Sequence, residues 1–426
     1  MIITMILGLV VSLSILIFIH EWGHYAAAKA SGIVVEEFGF GYPPRLLTFW
    51  RTEGKIVING REIIIPRKTK LPEGLQARMT VRYETEEDRK GRLILTHIRV
   101  SDSAEGEGSV GSIEFLDPGT IFTLNAVPFG GFAKMLGEED PTFPGSLASK
   151  SKRTRVFVLA AGAAMNLLTA ILFFALAFML GGPAIANPEN AVVTSIAPGS
   201  PAEEVGLQPN DIILRADDVE IIAVADLPAY VQEHLGEPIV LTVRRGDEIM
   251  EISVVPRPNP PPGEGAIGIG LAPRTTIRQY SLPQALWLGL QQTVRMAGFI
   301  FTVPVQIIKG LIPVEMARPV GPVGVGQMVG DAVNYSLDTG WWFPVMQLMG
   351  SLSVALAVTN LLPLPGLDGG RILFVIVEGL RGRRIDPAKE GLIHLIGMAF
   401  LVALMLLITW QDLVNPLPPV DWSSLF

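Results

Sequence analysis

The chain of 426 residues contains no cysteine. This one absence excludes a disulfide framework, thiolate zinc ligands and a cysteine nucleophile. Histidine is nearly as scarce, with five in the whole chain, so any imidazole-based metal site has few residues to draw on. Charged residues make up 17% of the sequence against 49% hydrophobic. The net charge of −8 is unremarkable, and no basic run with interleaved aromatics marks a nucleic-acid partner.

The apolar residues are concentrated. Stretches 2–19, 156–180, 343–362 and 391–408 each approach the ~20 residues that cross a bilayer, while the segments between them are rich in charge, Gly and Pro. The expected fold class is a polytopic α-helical membrane protein of about four transmembrane helices, with an inserted cytosolic β-rich module and an external α+β domain. The first stretch does not read as a cleaved signal peptide. It lacks a basic n-region, no convincing A-x-A site follows its apolar run, and it continues directly into His20-Glu21-Trp22-Gly23-His24.

Flanking charge sets the orientation. Lys150, Lys152, Arg153 and Arg155 precede the second stretch, and Arg371, Arg381, Arg383, Arg384 and Lys389 follow the third, whereas 181–190 and 411–426 carry no Lys or Arg. The positive-inside rule then places 32–150 and 371–389 in the cytosol and 183–342 outside.

His20, Glu21 and His24 form the pattern His-Glu-x-x-His. On a helix it puts two imidazoles one turn apart on one face, with a carboxylate beside them as general base for water activated by zinc. At the end of an apolar span such groups are costly and functional by default; the bland alternative is a solvated helix end. A catalytic zinc needs a third protein ligand and an open position. His97 and His234 fall in soluble-looking segments on opposite sides of the membrane, and His394 opens the fourth span, where a polar residue near a helix end is the commoner reading. The metzincin extension fails, because Ala27 and Ala30 stand where Gly and His belong. Glu36 and Glu37 follow the helix too closely to fold back. Asp368 is the favoured third ligand: it lies in Pro363-Leu364-Pro365-Gly366-Leu367-Asp368-Gly369-Gly370, where Pro and Gly break the helix, and broken helices in membranes line cavities. Elsewhere such an Asp would read as a turn residue.

Together, HEWGH, PFGGFAKMLGE at 128–138, Gly162-x-x-x-Asn166, a PDZ-like segment and NLLPLPGLDGGR at 360–371 resemble the site-2 protease family of intramembrane zinc metalloproteases. The resemblance implies zinc held by His20, His24 and Asp368, with Glu21 as catalytic base. It implies that Asn360 helps hold substrate near the metal; an amide there could donate to a developing oxyanion, or serve helix–helix hydrogen bonding. Asn166 reads more readily as a structural residue. Residues 129–138, with Gly130 and Gly131, match the family's membrane-associated β-loop, whose edge is thought to pair with extended substrate. The chemistry calls for such a device, since a helix hides its carbonyls and must unwind before hydrolysis; the alternative is a glycine-rich turn near the headgroups. Ala163 departs from the usual Pro. Residues 51–127 are longer than the family suggests and read as several strands over 55–65, 77–83 and 93–100, a β-module of unassigned role.

The run GSPAEEVGLQPNDIIL at 199–214 resembles a bacterial PDZ domain, a fold that captures extended peptide by strand addition or could serve only as a size filter. The expected organisation is a first transmembrane helix over 1–31, the β-rich region over 32–150, a second transmembrane helix over 151–182 and the PDZ-like domain over 187–258. A Pro-rich linker and amphipathic interfacial segment follow over 259–342, where 282–312 reads as interfacial rather than a fifth span. A third transmembrane helix with the LDG motif over 343–380, a fourth over 386–412 and a tail over 413–426 complete the chain. The resemblance implies single-span membrane proteins as partners, anti-sigma factors or remnant signal peptides among them, and a bacterial cytoplasmic membrane with the active site toward the cytosol. An idle scaffold would not need Glu21 with all three ligands, and an ion transporter would carry internal repeats of broken helices, which the sequence lacks.

Overall fold

A computed structural model describes residues 2–100, 108–137, 141–261, 263–310, 318–420 and 422. Glu138 at the end of the β-loop, the last two residues of 282–312 and most of the chain from 421 onward lie outside the described residues. The chain divides into two compact units. One comprises Met1–Ala177 with Pro283–Val420, the other Phe178–Leu282 with Asp421–Phe426.

The larger unit begins with α1, Ile2–Ala30. The helix continues past the apolar run, so the HEWGH residues share its axis and 3.6-residue period. Helices α2 (Lys152–Gly181), α7 (Phe343–Leu361) and α9 (Pro387–Val414) are, with α1, long and apolar enough to cross a bilayer. On α9 the apolar residues from Leu392 to Val414 are largely exposed, as lipid-facing residues would be. The described residues of 282–342 form two helices, α5 (Leu282–Ile308) and α6 (Pro322–Thr339). Small residues let both pack closely. Gly289 of α5 lies against the backbone of Ile171 and Ala175 on α2, and Gly326 and Gly330 of α6 lie against Met5 on α1. Asp412 of α9, fully buried, accepts from the backbone N–H of Gly321 and Gly324 at 2.9 Å each. It thus caps the start of α6 from another helix, where unpaired N–H groups and the helix dipole favour a carboxylate.

Among the described residues between α1 and α2 stand seven strands. β1 (Val35–Arg51) pairs antiparallel with β7 (Ile121–Met135). Both are long and bend, so that residues 37–40 of β1 run beside residues 121–124 and also beside residues 131–134 of β7. The sequence inserted between them closes into a five-stranded barrel of β2 (Gly54–Ile58), β3 (Arg61–Ile65), β4 (Thr80–Glu87), β5 (Leu93–Val100) and β6 (Ser109–Asp117), in the order β2-β3-β5-β4-β6. Alternation fills it: Ile56, Ile58, Ile63, Ile65, Val81, Leu95 and Ile113 are buried. The stretch 55–65, read as strand, is a hairpin turning at Asn59 and Gly60, both at positive φ (48° and 72°), the turn that matches strand twist.

The smaller unit is a sheet in the order β12-β11-β9-β8-β13, with β10 on β9. Its strands are β8 (Gly182–Ile196), β9 (Ile212–Ala216), β10 (Val219–Glu220), β11 (Ile239–Arg245), β12 (Glu248–Val254) and β13 (Ile269–Arg278). The helices are α3 (Pro201–Glu204), capped by Ser200 Oγ, and α4 (Asp226–Glu233). β13 lies within the stretch expected to be linker, and it pairs with β8 throughout its length. The sheet thus extends past 258. Asp217 fastens β9 to its neighbours by accepting from Val240 N–H and Tyr230 Oη at 2.8 Å each, bonds that hold its carboxyl below the usual carboxylate range. A groove of about 150 Å³ opens between α4, at Leu227 and Val231, and the chain at Ala266, Ile267, Ile269 and Leu271.

Candidate metal centre

The periodicity of α1 brings His20 and His24 to one face, and α2 supplies the wall behind them. His24 Nδ1 lies 2.9 Å from the carbonyl of Val158. A carbonyl only accepts, so Nδ1 carries the ring proton and Nε2 presents a lone pair. One turn further along α2 is Gly162, where a Cβ would collide with the His24 Nε2 atom and the His20 ring. One turn beyond that is Asn166, completely buried, whose side-chain amide lies 3.3 Å from His20 Nδ1. Residues 158, 162 and 166 recur every four positions along one helical face. In the reverse direction, Gly23 of α1 meets the backbone carbonyl of Ala161 and the side chain of Met165. The two helices approach closely because each has a glycine at the crossing.

Asp368 arrives from the far end of the chain, as the first residue of α8 (Asp368–Arg381). Between α7 and α8 the backbone turns through Pro363–Leu367, with Gly366 at φ +95°, and Gly369 and Gly370 pack so tightly on the carbonyls of Leu361, Leu362 and Leu364 that no Cβ fits. α9 buttresses this turn. Gly397 lies against Pro365, and the Gly366 N–H donates to His394 Nδ1 at 2.9 Å. The other end of α8 is tied down by a buried ion pair, Arg155 of α2 to Glu378 at 2.6 Å, and by the Ile385 N–H donating to the same carboxylate.

The result is a triangle of acceptor atoms. His20 Nε2 and His24 Nε2 lie 3.1 and 3.2 Å from Asp368 Oδ2 and 3.2 Å from each other. Both imidazoles are buried. Bringing such lone pairs together without a cation between them is unfavourable. Tetrahedral zinc, with bonds near 2.0–2.1 Å, sets its ligand atoms about 3.3 Å apart, so the three side chains fit that ion and leave a fourth position open. Among the described residues, these three form the group that could hold a metal.

Glu21 stands beside the triangle, and its Oε2 accepts from the backbone N–H of Ala133 on β7 at 3.0 Å. Gly130 at φ +65° and Gly131 let β7 come close, the first against Ile17 of α1 and the second against the Gly39 carbonyl of β1. Both glycines thus give β7 clearance, Gly130 against a side chain and Gly131 against backbone. Asn360 is half-buried near the end of α7 and hydrogen-bonds to none of the three candidate ligands. The other weighed residues lie elsewhere: His97 beside Glu84 on the barrel, His234 on the Tyr230 carbonyl, Glu36 on Lys134 and Glu37 on Arg45. His394 is the exception in part, since it supports the turn that carries Asp368. Sequence reasoning undervalued Asn166, although an amide in the middle of an apolar span is itself a signal, being expensive without a partner.

The chain belongs to peptidase family M50, whose sequence profile matches residues 8–59 and 102–404. The unmatched residues 60–101 include the barrel strands β3, β4 and β5, in the region the motifs also left uncovered. The zinc metalloprotease RasP of Oceanobacillus iheyensis is 28% identical over 437 residues, 96% of this chain and 99% of that protein. The zinc metalloprotease RasP of Geobacillus kaustophilus is 27% identical over 428 residues, 96% of this chain and 97% of its own. Among solved structures, the PDZ domain of an SdrC-like protein from Listeria monocytogenes covers 20% of this chain and 88% of its own at 21% identity, with a TM-score of 0.18. The PDZ-like reading therefore rests on the motif at 199–214 and the sheet, not on that overlap.

Proposed function

We propose that this protein is an intramembrane zinc endopeptidase in which His20, His24 and Asp368 hold the metal and Glu21 is the catalytic base. The observation that carries the reading is the convergence of three acceptor atoms at 3.1–3.2 Å, beside a carboxylate, on helices apolar enough to span a bilayer. Bound there, zinc supplies Lewis acidity toward a peptide carbonyl and toward water. Glu21 takes a proton from the attacking water and passes it to the leaving amide nitrogen, so one carboxylate serves as base and then as acid.

The substrate is a single-span membrane protein already trimmed on its outer side, such as an anti-sigma factor or a remnant signal peptide. It is cut in or near its transmembrane segment during regulated intramembrane proteolysis. The bent strand β7 supports strand addition: its residues 131–134 pair with β1, while the Ala133 N–H is turned toward Glu21 instead. An extended segment laid along that edge would be unwound within reach of the base, with Asn360 available as a further donor. In this reading the site faces the cytosol of a bacterial cytoplasmic membrane and the PDZ-like unit lies outside, an orientation that the flanking Lys and Arg support. The groove beside α4 offers that unit an apolar slot for an extended peptide end.

The test is cleavage of a tagged single-span substrate by the purified protein and by Glu21→Gln. The expected loss is about 100- to 10,000-fold, the usual scale for a general base. Equal cleavage by both proteins would remove Glu21 from the mechanism.

A further inference from the structure

The two candidate histidine ligands are secured differently. A backbone carbonyl, which can only accept, fixes the proton of His24 on Nδ1. His20 Nδ1 faces a side-chain amide, which can donate through Nδ2 or accept through Oδ1. With Nδ2 toward the ring, at 3.3 Å, an N–H would donate to His20 Nδ1 and force the ring proton onto Nε2. That is the atom aimed at Asp368 and His24, so the ring could not present a lone pair to a metal. With the amide turned by 180°, Nδ1–H donates to Oδ1 and Nε2 is bare, as on His24. Asn166 Oδ1 is buried and has no hydrogen-bond partner, so no neighbouring donor holds the amide in the first orientation and the state of His20 selects between the two. The backbone of Asn166 is itself anchored: Ser353 Oγ of α7 donates to its carbonyl at 2.7 Å.

We infer that Asn166 is a positioning residue which accepts a hydrogen bond from His20 Nδ1 through Oδ1, fixing the tautomer and ring orientation that bind zinc. The inference rests on the zinc reading proposed above. It makes α2 a complete outer shell for the two histidines, with a carbonyl at Val158, clearance at Gly162 and an acceptor at Asn166. An acceptor on the far nitrogen of a ligating imidazole raises the basicity of the other, and its loss typically weakens metal binding 10- to 100-fold.

Equilibrium zinc competition against a chelator, on the intact detergent-solubilised protein, tests this with Asn166→Leu and Asn166→Asp. Leucine keeps the volume and removes the acceptor, so its zinc Kd should rise about 10- to 100-fold. Aspartate keeps an acceptor and strengthens it, so its Kd should equal or fall below that of the unsubstituted protein. A role in helix packing alone predicts the opposite order, because a buried carboxylate is costlier than an apolar side chain. An unchanged Kd in Asn166→Leu, or a tenfold weaker Kd in Asn166→Asp, overturns the assignment. If Asn166→Leu does not fold, Asn166→Asp against the unsubstituted protein decides by the same criterion. Absence of zinc from the unsubstituted protein overturns the zinc reading and this inference with it, whereas stoichiometric zinc with an unresponsive Asn166 overturns only the latter.

Discussion

The two sides of the candidate metal centre are built by different means. His20 and His24 occupy neighbouring turns of one continuous helix, and a second continuous helix backs them at intervals of four residues. Asp368 begins a helix that follows a break, and it is held by the tight turn at Pro363–Leu367, by glycines without room for a Cβ, and by His394 and Gly397 from α9. Helical periodicity places the histidines almost without help. The carboxylate is placed by tertiary contacts. A regular element thus carries two candidate ligands at little cost in specification, whereas the irregular one needs support from three other helices (α2, α7 and α9).

The sharpest way to break the histidine side is Gly162→Ala. The methyl group would stabilise α2 as a helix by up to about 1 kcal/mol, yet it would overlap both imidazoles. Zinc content and cleavage should fall close to zero while helical content is preserved; retained zinc would mean the rings have room the packing denies them. On the carboxylate side, Gly369→Ala puts a Cβ against the carbonyls of Leu361 and Leu362 and should displace the start of α8. The expected outcome is substantial loss of zinc with some loss of stability, because backbone and not a flexible side chain must yield. The mildest change is His394→Leu, which removes the acceptor of the Gly366 N–H. That bond is exposed enough for water to substitute in part, so a loss near 1 kcal/mol, or roughly fivefold in zinc affinity, is expected from chelator competition. A null effect would show that Gly397 and the glycine packing suffice to hold the turn.

The same contrast explains what could be read from the sequence. His20, Glu21 and His24 were legible because their chemistry sits within five consecutive residues at helical spacing. Asp368 was legible as a carboxylate on a broken helix, but the contacts that aim it came from residues read as incidental, His394 above all. Asn166 was visible as a polar residue in an apolar span, yet its partner, His20, lies 146 positions away, a separation over which periodicity carries no information. The four apolar helices followed from length and hydropathy. The closed barrel and β13 did not, because strands of five to ten residues signal only weakly and their pairing depends on distant neighbours.

The central claim is that one zinc ion is held by two ligands from the first helix and one from the far end of the chain. Elemental analysis of purified Asp368→Ala, alongside the unsubstituted protein, tests it most directly. The account predicts one zinc per chain in the unsubstituted protein and a loss of most of it in the variant, with helical content preserved. One zinc per chain in a folded Asp368→Ala protein would contradict it.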